Sequence, residues 1–160
     1  LKGRHHNKGQ KGRQWKRGGA AAYNRGVLPI TQGEILRMHH VALIVADYAR
    51  SKRFYTEILG LEILAEHYRA ARDSWKLDLG SDGHYLLELF SFPDPPPRPN
   101  SPEACGLRHL AFVVEDVAAQ RAALQAKGVD CEAVRIDEYT GKAFFFIKDP
   151  DGLPIEFYQG

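Results

Sequence analysis

Two histidines and two glutamates occupy matching places in a duplicated pattern. His40-Val-Ala-Leu-Ile-Val-Ala-Asp47 returns as His109-Leu-Ala-Phe-Val-Val-Glu-Asp116, with the histidines 69 residues apart. Each copy closes on an apolar run with a single carboxylate: Tyr85-Leu-Leu-Glu88-Leu-Phe90, and Leu153-Pro-Ile-Glu156-Phe-Tyr158. The histidine-to-glutamate separation is 48 residues in the first copy and 47 in the second. A glutamate amid strand-like apolar residues is costly to bury without a partner, and keeping it twice implies a use. The pattern is that of a pseudo-two-fold metal site with His40, Glu88, His109 and Glu156 as ligands. Imidazole nitrogen and carboxylate oxygen suit Zn, Ni, Co, Mn or Fe and disfavour thiophilic ions. Two carboxylates would neutralise one divalent cation. His39 is expected on the opposite face by strand alternation. His67 and His84 have no counterpart in the other copy and are expected at the surface or in a pocket.

The elements that must position these groups repeat as well. Val41, Leu43 and Val45 alternate with His40, Ala42 and Ile44, so the spacing predicts a strand apolar on both faces and buried on both. Asp47 is placed to cap a helix from Tyr48 to about Ile58, and Gly60 to end it; Asp116, Val117 to Ala126 and Gly128 repeat the arrangement. Three strands follow each helix: about 61–66, 74–79 and 84–91 in the first copy, 129–135, 142–148 and 153–159 in the second. The fold expected is α+β, two tandem βαβββ modules forming a curved, mostly antiparallel sheet around a central metal site. Module one is 38–92 and module two 103–160, joined by a stiff linker over 93–102 that holds six prolines. If the modules pair symmetrically, the four ligands meet on one axis, either within a chain or across a pair of chains.

Charge divides the chain at the same boundary. Residues 1–37 hold nine Lys and Arg against one acid, whereas 38–160 hold thirteen against nineteen, so the basic balance belongs to the leader alone. The leader is Gly-rich, polar and aperiodic, and is expected to be disordered upstream sequence, with Met38, the only methionine, as the natural start. The acidic body argues against nucleic-acid binding by the folded domain. Two cysteines give neither a disulfide framework nor a Cys-type metal motif, and no apolar run reaches membrane-spanning length. A cytoplasmic location without membrane contact is expected.

Taken together, the paired modules, Phe54-Tyr55 with Leu59-Gly60-Leu61, and Lys148-Asp-Pro-Asp-Gly-Leu-Pro-Ile-Glu156 resemble the vicinal-oxygen-chelate superfamily. The nearest branch is glyoxalase I and its small bacterial relatives, and the resemblance covers 38–159. It implies metal ligation by His40, Glu88, His109 and Glu156, a small-molecule substrate and a homodimer. It also implies that a metal-bound carboxylate moves a proton between adjacent carbons, with Glu156 the first candidate and Glu88 its symmetry mate. A Lewis acid on a vicinal oxygen pair and a nearby base account for such chemistry physically.

Two positions depart from that branch. Where bacterial glyoxalase I enzymes place an arginine four residues after the first histidine, this chain has Ile44; where they place an asparagine four after the first glutamate, it has Phe92. Both are glutathione contacts in that branch. The reading is therefore a metal-dependent lyase or isomerase of glyoxalase I type whose substrate is not assigned. A transferase or dioxygenase on the same fold, or a non-catalytic binding protein, is the alternative. Arg69, Arg72, Lys76, Arg98 and Arg108 are available to hold an anion, and Trp75, Phe90 and Phe92 to line a pocket.

Overall fold

The structure, a computed structural model, describes residue 35 and residues 37–160. The leader lies outside the described residues apart from residues 35 and 37. Module one runs β1 (Val41–Val45), α1 (Tyr48–Arg53) continuing into a π-helical turn (Phe54–Ile58), β2 (Glu62–Arg69), β3 (Ser74–Ser81) and β4 (His84–Ser91). Module two runs β5 (Leu110–Val114), α2 (Val117–Ala126), β6 (Arg135–Ile136), β7 (Ala143–Lys148) and β8 (Pro154–Gln159). The strands form two four-stranded sheets, ordered β1-β4-β3-β2 and β5-β8-β7-β6. Only β1 with β4 and β5 with β8 run parallel, and their registers match: Ala42 lies opposite Glu88, and Ala111 opposite Glu156.

The helix starts follow from local chemistry. Asp47 Oδ1 accepts from the Arg50 amide and Asp116 Oδ1 from the Ala119 amide, both at 2.9 Å, so each aspartate satisfies an amide the helix leaves free. Gly60 and Gly128, at φ +78° and +79°, turn the chain out in the left-handed region.

One face of each sheet is sealed by apolar packing. Leu77, Leu79, Leu87 and Leu89 are buried in the first, and Phe145, Ile147, Ile155 and Phe157 in the second, where α2 packs on β7 and β8. The other face is open. Leu43 and Val45 are buried as expected, but Ala42 is exposed and Ile44 is 62% exposed, so β1 is buried on one face rather than two. The strand expected over 129–135 is reduced to two residues. The carbonyls of Glu132 and Cys131 accept from the Arg121 guanidinium at 2.7 and 3.4 Å, and the Glu132 amide bonds β7 at the Phe146 carbonyl, 2.9 Å away. Among the described residues no helix is long and apolar enough to cross a membrane.

The turn at Asp149-Pro-Asp-Gly152 binds the modules together. Asp149 is buried and accepts from the Tyr55 hydroxyl at 2.8 Å and from the amides of Asp151 and Leu153 at 2.9 and 2.7 Å. Asp151 accepts from the Ala46 amide at 3.1 Å, and Lys127 donates to the carbonyls of Glu57 and Ile58. Burial pushes the Asp149 carboxyl above its ordinary value despite its donors. Asp149→Ala would leave three donors without an acceptor, the Tyr55 hydroxyl among them fully buried. With the Tyr55 hydroxyl and the Leu153 amide the two buried donors, at about 1–3 kcal/mol each, the expected loss is roughly 2–6 kcal/mol in urea unfolding. A loss below about 1 kcal/mol would show that the turn does not brace the modules.

Candidate metal centre

The structure brings each histidine to its own glutamate. His40 Nε2 lies 3.2 Å from Glu88 Oε2, and His109 Nε2 lies 3.2 Å from Glu156 Oε2. These pairs sit on the open faces, with the glutamate side chains only 12% and 14% exposed. Alternation explains the placement: Leu87 and Leu89, flanking Glu88, face the core, as do Ile155 and Phe157 around Glu156.

The four candidate ligands form two separate pairs rather than one cluster. Among the described residues no group of three or more His, Cys, Asp or Glu side chains stands ready to hold a single ion. Each chain instead carries two half-sites. Each half-site fits a divalent ion in donor type and spacing. A 3.2 Å gap is that of two neighbouring donors bonded at about 2.0–2.2 Å to one cation.

The half-sites differ in what surrounds them. In module one the Tyr85 ring stacks on His40 with centroids 4.9 Å apart, and the Tyr85 hydroxyl donates to Glu88 Oε1 at 2.6 Å. Lys76 Nζ lies 2.8 Å from the same oxygen and also pairs with Asp78. Oε1 is thus pinned while Oε2 faces His40. Burial raises the Glu88 carboxyl, but Lys76 and Tyr85 outweigh it and hold it below the ordinary carboxylate range. Burial likewise drives the Tyr85 hydroxyl upward, so it remains a donor. His39 departs from the expected opposite face. It precedes the strand, so alternation does not govern it, and its Nδ1 lies 2.7 Å from His40 Nδ1. A second-nitrogen partner of this kind orients a histidine for ligation through Nε2.

In module two the strand pairing puts Phe146 opposite Glu156, where module one has Asp78 opposite Glu88, and Phe144 opposite Tyr158, where module one has Lys76 opposite Phe90. Phe146 meets the His109 ring edge-on with centroids 5.4 Å apart, and His109 Nδ1 is buried without a partner. Among the described residues no other protein group donates to Glu156. One half-site is therefore polar and clamped, the other aromatic, with His109 the one polar partner of its carboxylate among the described residues.

Other expected groups fall away from the site. Trp75 is on the opposite face of β3, stacked on Tyr48 at 5.3 Å. Arg98 donates to the carbonyls of Leu107 and Arg108, Arg108 pairs with Glu103, and Arg72 lies exposed on a short turn. His67 and His84 are exposed. Tyr85 was missed by alternation because it lies three residues from Glu88. An irregularity between Leu79 and Gly80 breaks the count there. A β-carbon on Gly80 would stand 2.5 Å from the His84 carbonyl oxygen, so only glycine allows this close approach.

The chain's likenesses agree with this architecture. The Glyoxalase/Bleomycin resistance protein/Dioxygenase superfamily model matches residues 37–157. The chain is 58% identical over 123 residues to the uncharacterized protein YaeR of Escherichia coli (strain K12), covering 77% of this chain and 95% of YaeR. The crystal structure of the glyoxalase family protein from Enterococcus faecalis aligns at TM-score 0.72 and 44% identity, over 77% of this chain and 97% of that one. The trypanothione-dependent glyoxalase I of Leishmania major aligns at TM-score 0.60 and 28% identity, over 77% and 86% of the two chains. With its paired modules and the family match over nearly all of the described residues, the chain belongs to the glyoxalase, bleomycin resistance protein and dioxygenase superfamily.

Proposed function

We propose that this protein is a metal-dependent lyase or isomerase of glyoxalase I type, acting on a small vicinal-oxygen substrate at a centre completed between two copies. The observation that carries the reading is the pair of equivalent His–Glu half-sites, each with a 3.2 Å donor gap and each on an open face. Two protein donors are too few for a stable divalent site, and a second copy can supply two more. Ile44 and Val113, four residues after each histidine on the same open strand faces, are 62% and 75% exposed, and such apolar positions call for a covering surface. A two-fold dimer that sets module one of each copy against module two of the other would cover both and join His40 and Glu88 to His109 and Glu156.

A divalent ion held by these four residues would polarise a vicinal oxygen pair and acidify the adjacent C–H. The chain's own groups then divide the work. Glu88, with Oε1 fixed by Tyr85 and Lys76, serves as the stationary ligand. Glu156, without such a clamp, can swing toward the substrate carbon, take its proton and return it to the neighbouring carbon. Phe144 and Phe146 exclude water around that transfer, which strengthens the electrostatics of the site.

The test is elemental analysis of protein purified without a polyhistidine tag, followed by activity with the metal found. About one divalent ion per chain is expected, with proton exchange at carbon lost in Glu156→Gln. Protein that takes up no Zn, Ni, Co, Mn or Fe would end the reading, and redox-active iron with oxygen consumption would replace it with dioxygenase chemistry.

A further inference from the structure

We propose that Arg69 is an anion-binding residue of this same site, so that the substrate is a metal-chelating molecule carrying a second, negatively charged group, a carboxylate or a phosphate, away from its chelating oxygens. The inference rests on the metal reading above and extends it to the class of substrate.

Arg69 ends β2 opposite Ser74, and the register places it on the face of Glu88: His67 pairs with Lys76, Lys76 with Phe90, and Asp78 with Glu88. Its guanidinium stands 4.6 Å over the centre of the Phe90 ring and 5.5 Å over that of Phe92. Phe90 is two residues beyond Glu88 on the same strand face, about 6.6 Å along the strand. Arg69 therefore sits within reach of the far end of a small molecule whose near end is chelated at Glu88.

The guanidinium is held rather than free. Its Nη2 donates to the Ser74 hydroxyl at 2.5 Å, and that fully buried hydroxyl donates in turn to the Ser91 carbonyl. Its Nε is buried without a hydrogen-bond partner. Among the described residues no carboxylate comes within ion-pair distance of it. Of the other cations beside the two candidate half-sites, Lys76 is compensated by Asp78 and Glu88 and Arg135 by Glu132. The phenylalanine rings strip water from one side of the guanidinium without neutralising it. A fixed, partly dehydrated, unpaired guanidinium is a site for an anion. Its planar fork matches the two oxygens of a carboxylate or the oxygens of a phosphate.

The test uses five- and six-carbon 2-oxo acids as chelating probes on the metal-loaded protein, read by calorimetry. We expect 2-oxoglutarate or 2-oxoadipate to bind about tenfold tighter than methyl-ended 2-oxopentanoate, as a charge-assisted contact would give. Arg69→Gln should abolish that preference while binding metal and 2-oxopentanoate normally, which also shows that the variant folds. Arg69→Lys, keeping the charge but not the fork, should keep only part of the preference. Equal affinity for charged and methyl-ended acids in the wild type, or a preference that survives Arg69→Gln, would overturn the proposal and leave the metal reading standing. A wild type that holds no metal would overturn both.

Discussion

Alanine in place of His40, His109 or Glu156 is expected to strip the protein of its metal, lowering affinity by more than about a hundredfold, since even supporting residues behind metal ligands cost 10–100-fold. The sharper result comes from mixing two of these variants. In a dimer whose sites each join module one of one copy to module two of the other, His40→Ala damages both sites, and so does His109→Ala. A mixed dimer has one site lacking both histidines and one site intact. Random pairing makes half the dimers mixed, so unfolding and refolding the two variants together should restore about one quarter of the wild-type metal. Sites closed within a chain would stay empty in the mixture. Retention of half the metal in each single variant would mean instead that like half-sites face like. Stoichiometric metal in any two of the single variants would remove these residues from the site altogether.

The contrast between half-sites shows how far the residues alone could be read. The two His–Glu pairs were legible because a duplication compares the chain with itself, and a carboxylate kept twice on apolar strands stands out. Helix boundaries were legible because Asp47, Asp116, Gly60 and Gly128 act within a few residues of where they sit. What surrounds the ligands depends on cross-strand register, which period-two counting cannot supply. Tyr85 reaches Glu88 only through the irregularity at Gly80, and Asp78 and Phe146 are equivalent only once each is seen opposite its glutamate. The open face of β1 was misread for a related reason. Ala42 and Ile44 are apolar like core residues, and nothing local distinguishes a strand covered by its own chain from one left for another surface. Arg69 was one of five arginines and lysines of equal standing; its lack of a carboxylate partner is a fact of three-dimensional neighbours.

Poor or absent turnover of the methylglyoxal–glutathione hemithioacetal is expected even with the metal fully loaded. In the glyoxalase I branch that this chain resembles, an arginine and an asparagine contact glutathione at the positions of Ile44 and Phe92. Here the first is a 62% exposed aliphatic side chain and the second a ring lying under Arg69. Hydrogen bonds to charged groups contribute roughly 1.5–3 kcal/mol each, so losing two weakens recognition by about a hundredfold or more. Arg69 supplies one cation in their place, which suits a single anionic group better than a tripeptide with several polar anchors. The ultraviolet assay for the thioester product, run with Ni, Co, Zn and Mn in turn, decides the matter. A kcat of about 10 s⁻¹ or above, ordinary for an enzyme on its own substrate, would show that glutathione is gripped by other residues. Loss of that rate in Arg69→Gln would then identify the guanidinium as the grip, and an unchanged rate would send the search to the aromatic wall of module two.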